Sequence, residues 1–211
     1  MRQDDLSEIE TDARAQNFVR VIENFVRSLN EQAGEDHAAA VLLEEAVLQG
    51  RELEQRPERF IEEELIDPVM RVLGYSPRFQ PTGFDGLGGR YPDFTALNLE
   101  VSNLGEVKTP GGITNARKES FEYLTMAEDR PIVGIATDGF VWILHTATEA
   151  DKRPTYTHHV ALHDLFRKIR LEQTQPKAKR RSRLHLRELS RDFVDQFNID
   201  YVERIVREKE V

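Results

Sequence analysis

Apolar side chains recur along this chain with two different periods. Phe18, Val19, Ile22, Phe25, Val26 and Leu29 repeat at helical spacing, and Ser7-x-x-Glu10 ahead of them has the form of a capping box. A second helix is predicted from Glu35 to Gln49 on Ala39, Leu42, Leu43, Ala46 and Val47. A third is predicted from Pro57, which suits a first helical turn, to Leu73, with Gly74 fit to follow the last turn. Its stripe is Ile61, Leu65, Val69, Val72 and Leu73. The period then shortens. Strands are predicted near Tyr91–Phe94, through Leu97, Leu99, Val101, Leu104 and Val107, and over Pro131–Thr137, a β-branched run suited to cover on both faces. Thr109-Pro110-Gly111-Gly112 is a stop, and a helix follows from Asn115 to Ala127 with Phe121 and Leu124 as core contacts. Asp138-Gly139 turns the chain into Phe140–Leu144, a hairpin pattern. Tyr156–Leu162 reads as an edge strand and His163–Leu171 as a helix.

The order predicts an α/β core, with a mixed sheet of four to five strands flanked by helices and extra helices at both ends. The predicted organisation is 1–56 as N-terminal helices on the core, 57–171 as the core, 172–183 as a basic linker and 184–211 as a C-terminal helix interrupted near Asn198. The last helix carries Leu186, Leu189, Phe193, Val194, Phe197, Tyr201, Ile205 and Val206 on one stripe. Such a stripe must be covered by this domain, a second copy or a partner chain.

Side chains alternate across a strand, so Glu106 and Lys108 share a face with Val107 behind them. Pro92 favours an extended Tyr91 and so a strand entering at Asp93. If that strand pairs next to the Glu106 strand, two carboxylates and an ammonium converge. Carboxylate oxygens that close attract a hard cation such as Mg²⁺, and a neighbouring lysine can hold a water or steady a phosphate. The same residue types also occur on ordinary solvated hairpins. Glu62 falls inside the apolar stripe of its helix, whereas Glu63 and Glu64 fall outside it. A carboxylate on an apolar face needs a partner, which a metal or Lys108 would supply; bent to solvent it needs none, and Glu64 is the alternative.

With Pro92-Asp93 and Glu106-Val107-Lys108, the chain resembles the PD-(D/E)XK superfamily of restriction-endonuclease-like nucleases. The likeness runs from about Phe60 to Leu144, through Leu73-Gly74-Tyr75 and Ala136-Thr137-Asp138-Gly139-Phe140-Val141-Trp142. It looks most like nuclease domains of restriction-modification and related phage-defence proteins. The resemblance implies a Mg²⁺-dependent endodeoxyribonuclease, with Mn²⁺ able to substitute. Asp93, Glu106 and the Val107 backbone carbonyl would bind the metal, with Glu62 acting directly or through a water. Lys108 would orient the attacking water or neutralise developing charge, leaving a 5′-phosphate and a 3′-hydroxyl. Several related families place a polar residue, often Gln, on the following helix. No Gln lies in Ala116–Tyr123, so Lys118, Ser120 or Arg117 is left to meet a phosphate, unless all three are simply exposed helix residues.

Composition adds limits. The 211 residues include no cysteine, which excludes disulfides and zinc–thiolate sites. No apolar run reaches membrane-spanning length, and a cytoplasmic, membrane-free protein is expected. The histidines are scattered, and the Gly-rich segment 82–90 lacks a Gly-Lys-Ser/Thr phosphate cradle. A net charge of -9 opposes a DNA partner, but the acidic excess sits in the first third of the chain. Lys177, Lys179, Arg180, Arg181 and Arg183 form a basic stretch that could grip a nucleic-acid backbone or be a plain charged linker. Three readings remain: a nuclease dimerising through its end helices, a nuclease subunit meeting a partner there, and a non-catalytic nucleic-acid-binding or assembly module of a restriction-type complex.

Overall fold

The computed structural model describes residues 3–53, 55–82, 87, 89–151, 153–174 and 179–210, without the side chains of 3–9, 52, 179–185 and 210. The chain opens with α1 (Gln3–Ala33) and α2 (Glu35–Glu44). α3 (Pro57–Ile61), a π turn (Glu62–Ile66) and α4 (Asp67–Val72) then follow in unbroken helical conformation. Pro68 explains the π turn: it has no N–H to return to the Glu64 carbonyl, and the ladder slips by one residue. Next come β1 (Pro77–Phe79), β2 (Phe94–Ala96), β3 (Ser102–Val107), α5 (Ile113–Met126), β4 (Ile132–Thr137), β5 (Val141–Ala147) and β6 (Thr155–Ala161). α6 (His163–Thr174), α7 (Lys179–Phe197) and α8 (Ile199–Glu210) complete it.

The protein is α/β, with one mixed sheet in the order β1-β2-β3-β4-β5-β6. Among the described residues, only β3 and β4 run parallel, joined by α5 as the crossover. Alternation along β3 and β5 assigns the two faces. Val107, Trp142 and Leu144 join the large core built with α1, α3, α4, α6 and α7, whereas Leu104, Val141 and Ile143 lie on the α5 side. Six strands stand where four to five were expected; β1, at one edge, is the strand not anticipated, whereas β6 is the expected edge strand. β1 is three residues long and begins with proline, too short to show a period, and β6 carries a register irregularity opposite Leu144/His145.

Several boundaries differ from the sequence reading. α1 starts at Gln3, ahead of Ser7, so Ser7 and Glu10 lie inside the helix and do not cap it. α2 stops at Glu44, not Gln49, because Glu45 turns left-handed (φ 58°), and Val47 becomes 60 % exposed. Phe121 is exposed at the rim of α5, its ring edge-on to buried His145, while Tyr123 joins Leu124 in the core. The proposed linker 172–183 is helical up to Thr174 and again from Lys179, since Lys and Arg favour helix and charge alone does not break one. The break at Asn198 is real: its side-chain oxygen accepts the Tyr201 N–H at 2.9 Å, a capping bond for α8.

The C-terminal stripe is covered within the chain. Phe193 packs on Phe18 at 4.7 Å between centroids and on Trp142 at 5.4 Å, and the Ile199 N–H donates to the Leu73 carbonyl. A contact with a second copy or partner through this stripe is therefore not available without unfolding it. Among the described residues, no helix is long and apolar enough to cross a membrane.

Candidate active site

β2 and β3 pair through a short antiparallel register that matches Phe94 with Gly105. The pairing is close because residue 105 has no side chain: a Cβ there would lie 2.1 Å from the Phe94 ring. Phe94 fills that space from one side while its neighbour Asp93 turns to the other. The Asp93 N–H donates to the Gly105 carbonyl at 2.9 Å, and the Val107 N–H donates to Asp93 Oδ2 at 2.8 Å. The carboxylate is thus fixed to the backbone of the strand that carries Glu106 and Lys108.

Glu106 points to the α5 side and is 1 % exposed. Lys108 Nζ stands 3.2 Å from Glu106 Oε2, 3.8 Å from Asp93 Oδ2 and 2.9 Å from Glu119 Oε2. Glu119, on α5, also hydrogen-bonds Glu106. Burial, and then the Asp93 charge, push Glu106 up to about 9, so its carboxyl holds a proton at neutral pH. Burial would lower Lys108, but its hydrogen bond to Glu119 and the surrounding carboxylates outweigh it and push the ammonium upward. Burial works against a charged Glu119 too, yet its hydrogen bonds with Lys108 and Glu106 hold it below the usual carboxylate range. One acid is neutral, its neighbour charged, and the ammonium sits between them.

The loop after β3 is held by a second carboxylate. Asp138, buried at the β4–β5 turn, accepts the N–H groups of Gly111, Phe140 and Val141 at 3.1, 3.1 and 2.9 Å. The Lys108 N–H donates to the Thr137 carbonyl at 3.0 Å, which ties the end of β3 to β4.

Glu62 enters from the π turn. It lines, with Asp93, Arg56, Arg59, Phe79 and Gln80, an open cleft of about 830 Å³. Burial, and then Asp93, push it up to about 7. Glu64 does not line this cleft, so Glu62 is the carboxylate that the fold brings to Asp93.

The residues singled out on α5 are placed elsewhere. Ser120 is buried against Gly134, where it cannot meet a phosphate. Lys118 is exposed and pairs with Glu122 at 3.9 Å, and Arg117 is exposed on the side of His145. Glu119 was missed. It lies three residues after buried Ala116 and four before buried Tyr123, so it is a carboxylate on the apolar side of its helix. That is the same signal that picked out Glu62. Lys177, and the side chains of Lys179, Arg180, Arg181 and Arg183, lie outside the described residues.

Among the described residues, no three Asp, Glu, His or Cys side chains converge closely enough to hold a cation by themselves. The expected set was Asp93, Glu106, the Val107 carbonyl and Glu62, and Glu62 does not gather with the other two carboxylates as a third direct ligand. Glu106 Oε1 bears on the carboxylate pair: it is buried and, among the described residues, takes no hydrogen bond from a nitrogen or hydroxyl donor, the proton shared with Glu119 aside. A cation there would satisfy an oxygen that no such donor reaches. Comparison of the chain with protein-family models, with curated proteins and with solved structures gives no match.

Proposed function

We propose that this chain is a metal-dependent nuclease that hydrolyses phosphodiester bonds in DNA, as an endonuclease of restriction or phage defence. The observation that carries the reading is the convergence of Asp93, Glu106 and Lys108 at the end of β3, with Glu106 Oε1 reached by no nitrogen or hydroxyl donor among the described residues. Two further features support it. The three-stranded β1–β3 unit, the α5 crossover and the β4–β5 hairpin follow the order expected of a restriction-endonuclease-like core. Glu62 also lines, from the preceding helix, a cleft that Asp93 borders.

The donor types suit Mg²⁺: hard carboxylate oxygens of Asp93 and Glu106, and a backbone carbonyl. When bound, Mg²⁺ supplies Lewis-acid activation of water and of a phosphate oxygen. The protein's own groups do the rest. Glu106 would hold the metal as its carboxylate, its proton passing to solvent as the cation binds. Asp93, anchored by the Val107 N–H, holds its orientation without reorganisation. Lys108 keeps its charge and neutralises the negative charge that grows on the phosphoryl oxygens, and Glu119 fixes where that ammonium sits. Glu62, at about 7, is matched to taking a proton from the attacking water near neutral pH.

The test is incubation of supercoiled DNA with the purified protein in Mg²⁺ or Mn²⁺, at low and high salt, with EDTA as control. Metal-dependent nicking or linearisation that disappears in Lys108→Ala supports the proposal. A folded protein that leaves DNA intact under every condition favours the non-catalytic module.

A further inference from the structure

We propose that the cleft between α3 and the β1–β2 pair seats a single strand of the nucleic-acid substrate, with the Gln80 amide on a base edge and the Arg56 guanidinium on a phosphate. The assignment rests on the nuclease reading above, and deepens it by naming what enters the site and how.

Gln80 is the first observation. Its φ is 49°, the left-handed region that residues with a side chain rarely adopt. The residue is pinned there, its N–H donating to the Asp93 carbonyl at 2.8 Å directly beyond the Phe79–Phe94 pair. The backbone that strains Gln80 is therefore the backbone that places Asp93. Glycine would meet the same geometry without strain, yet the chain carries a long amide, exposed and lining the cleft. That amide has no hydrogen-bond partner among the described residues. Strain retained beside a candidate reacting group, on a side chain with nothing to hold, points to a ligand.

Charge is the second. Arg59 is committed to Glu63 at 2.7 Å, whereas Arg56, at the entrance to α3, has no ion pair among the described residues. The remaining wall carries Glu58, Glu62, Glu63, Asp67 and Asp93 and repels a phosphate. A polynucleotide can then approach in one sense only, its phosphate toward Arg56 and its base toward the uncharged Gln80. At about 830 Å³ the open cleft is on the scale of a small-ligand pocket, with room for a short stretch of one strand. A glutamine amide offers a donor and an acceptor side by side, which matches adenine at N6 and N7.

The experiment compares the full chain with Gln80→Gly and Arg56→Ala. It measures thermal melting, binding of labelled oligo(dA) and oligo(dC) by fluorescence anisotropy in Ca²⁺ across a salt series, and plasmid cleavage in Mg²⁺. Gln80→Gly should melt higher, by about 2–4 °C, as the strain is relieved. It should bind oligo(dA) about tenfold more weakly and lose the preference over oligo(dC). Arg56→Ala should weaken both probes alike and lower the salt slope by about 0.7. Gln80→Gly that melts higher but binds both probes as the parent does, or a parent that binds neither, overturns the inference. Cleavage by the parent with unaltered binding in both variants overturns it while leaving the nuclease reading intact. Binding that changes as stated, without cleavage by the parent, upholds the strand site and overturns the nuclease reading.

Discussion

Replacing Glu106 by glutamine should make the protein's stability less sensitive to rising pH. The carboxyl is 1 % exposed and pushed up to about 9 in the folded chain, against a reference value of 4.5. Between those two values the folded state holds a proton that the unfolded state has lost, so stability falls as pH rises. One such proton is worth about 1.4 kcal/mol per pH unit. From pH 6 to pH 8 the loss is at most about 2.7 kcal/mol, and reorientation of Lys108 and Glu119 reduces it to about 1.5–2.5 kcal/mol. Glu62, pushed up to about 7, has the same sign but is present in both proteins and cancels in the comparison. Glutamine mimics the protonated acid and carries no such slope. Urea denaturation in EDTA at pH 6, 7 and 8, with midpoints and m-values for both proteins, measures the difference. The parent should lose about 1.5–2.5 kcal/mol more than Glu106→Gln across this range. Parallel losses would show that Glu106 is not the group holding the proton, and the electrostatic description of the site would fail.

Gly105→Ala would place a Cβ 2.1 Å from the buried Phe94 ring, and should destabilise the fold by about 1–3 kcal/mol while shifting Asp93. A lower urea midpoint together with lost cleavage checks it. Glu119→Ala removes the shortest ion pair of Lys108 and should lower kcat by about 10–100-fold with little change in KM, whereas Glu119→Gln keeps a hydrogen bond and should restore part of the rate. Asn198→Ala deletes the α8 capping bond and should cost about 1 kcal/mol in urea denaturation without touching activity.

Much of the layout was legible because burial imposes a period. The helical stripes of α1, α4 and α7 and the β-branched run of β4 each follow from one face meeting the core. The convergence of Asp93 with Glu106 and Lys108 was legible for a similar reason, since alternation fixes which face each side chain takes. Other features depend on contacts that no local pattern carries. The π turn arises from Pro68 inside an otherwise regular helix, and β1 has only three residues in which to show a period. Glu119 carries no residue-type signal, since a carboxylate on α5 is not a phosphate contact. Its position on the buried side of that helix, between Ala116 and Tyr123, was in the sequence. The C-terminal stripe shows the opposite limit. Its need for cover could be read, but that α1 and the sheet supply the cover is a long-range fact.

The central claim is that Asp93, Glu106 and Lys108 form one metal-dependent phosphodiester-hydrolysing site. Its most direct test is the single-turnover rate of DNA cleavage in Mg²⁺ by the parent protein and by Asp93→Ala, each shown by circular dichroism to be folded. Metal-dependent cleavage by the parent is expected, with a rate at least about 10²-fold lower in Asp93→Ala. Cleavage by Asp93→Ala at the parental rate, with the same metal requirement, would contradict it.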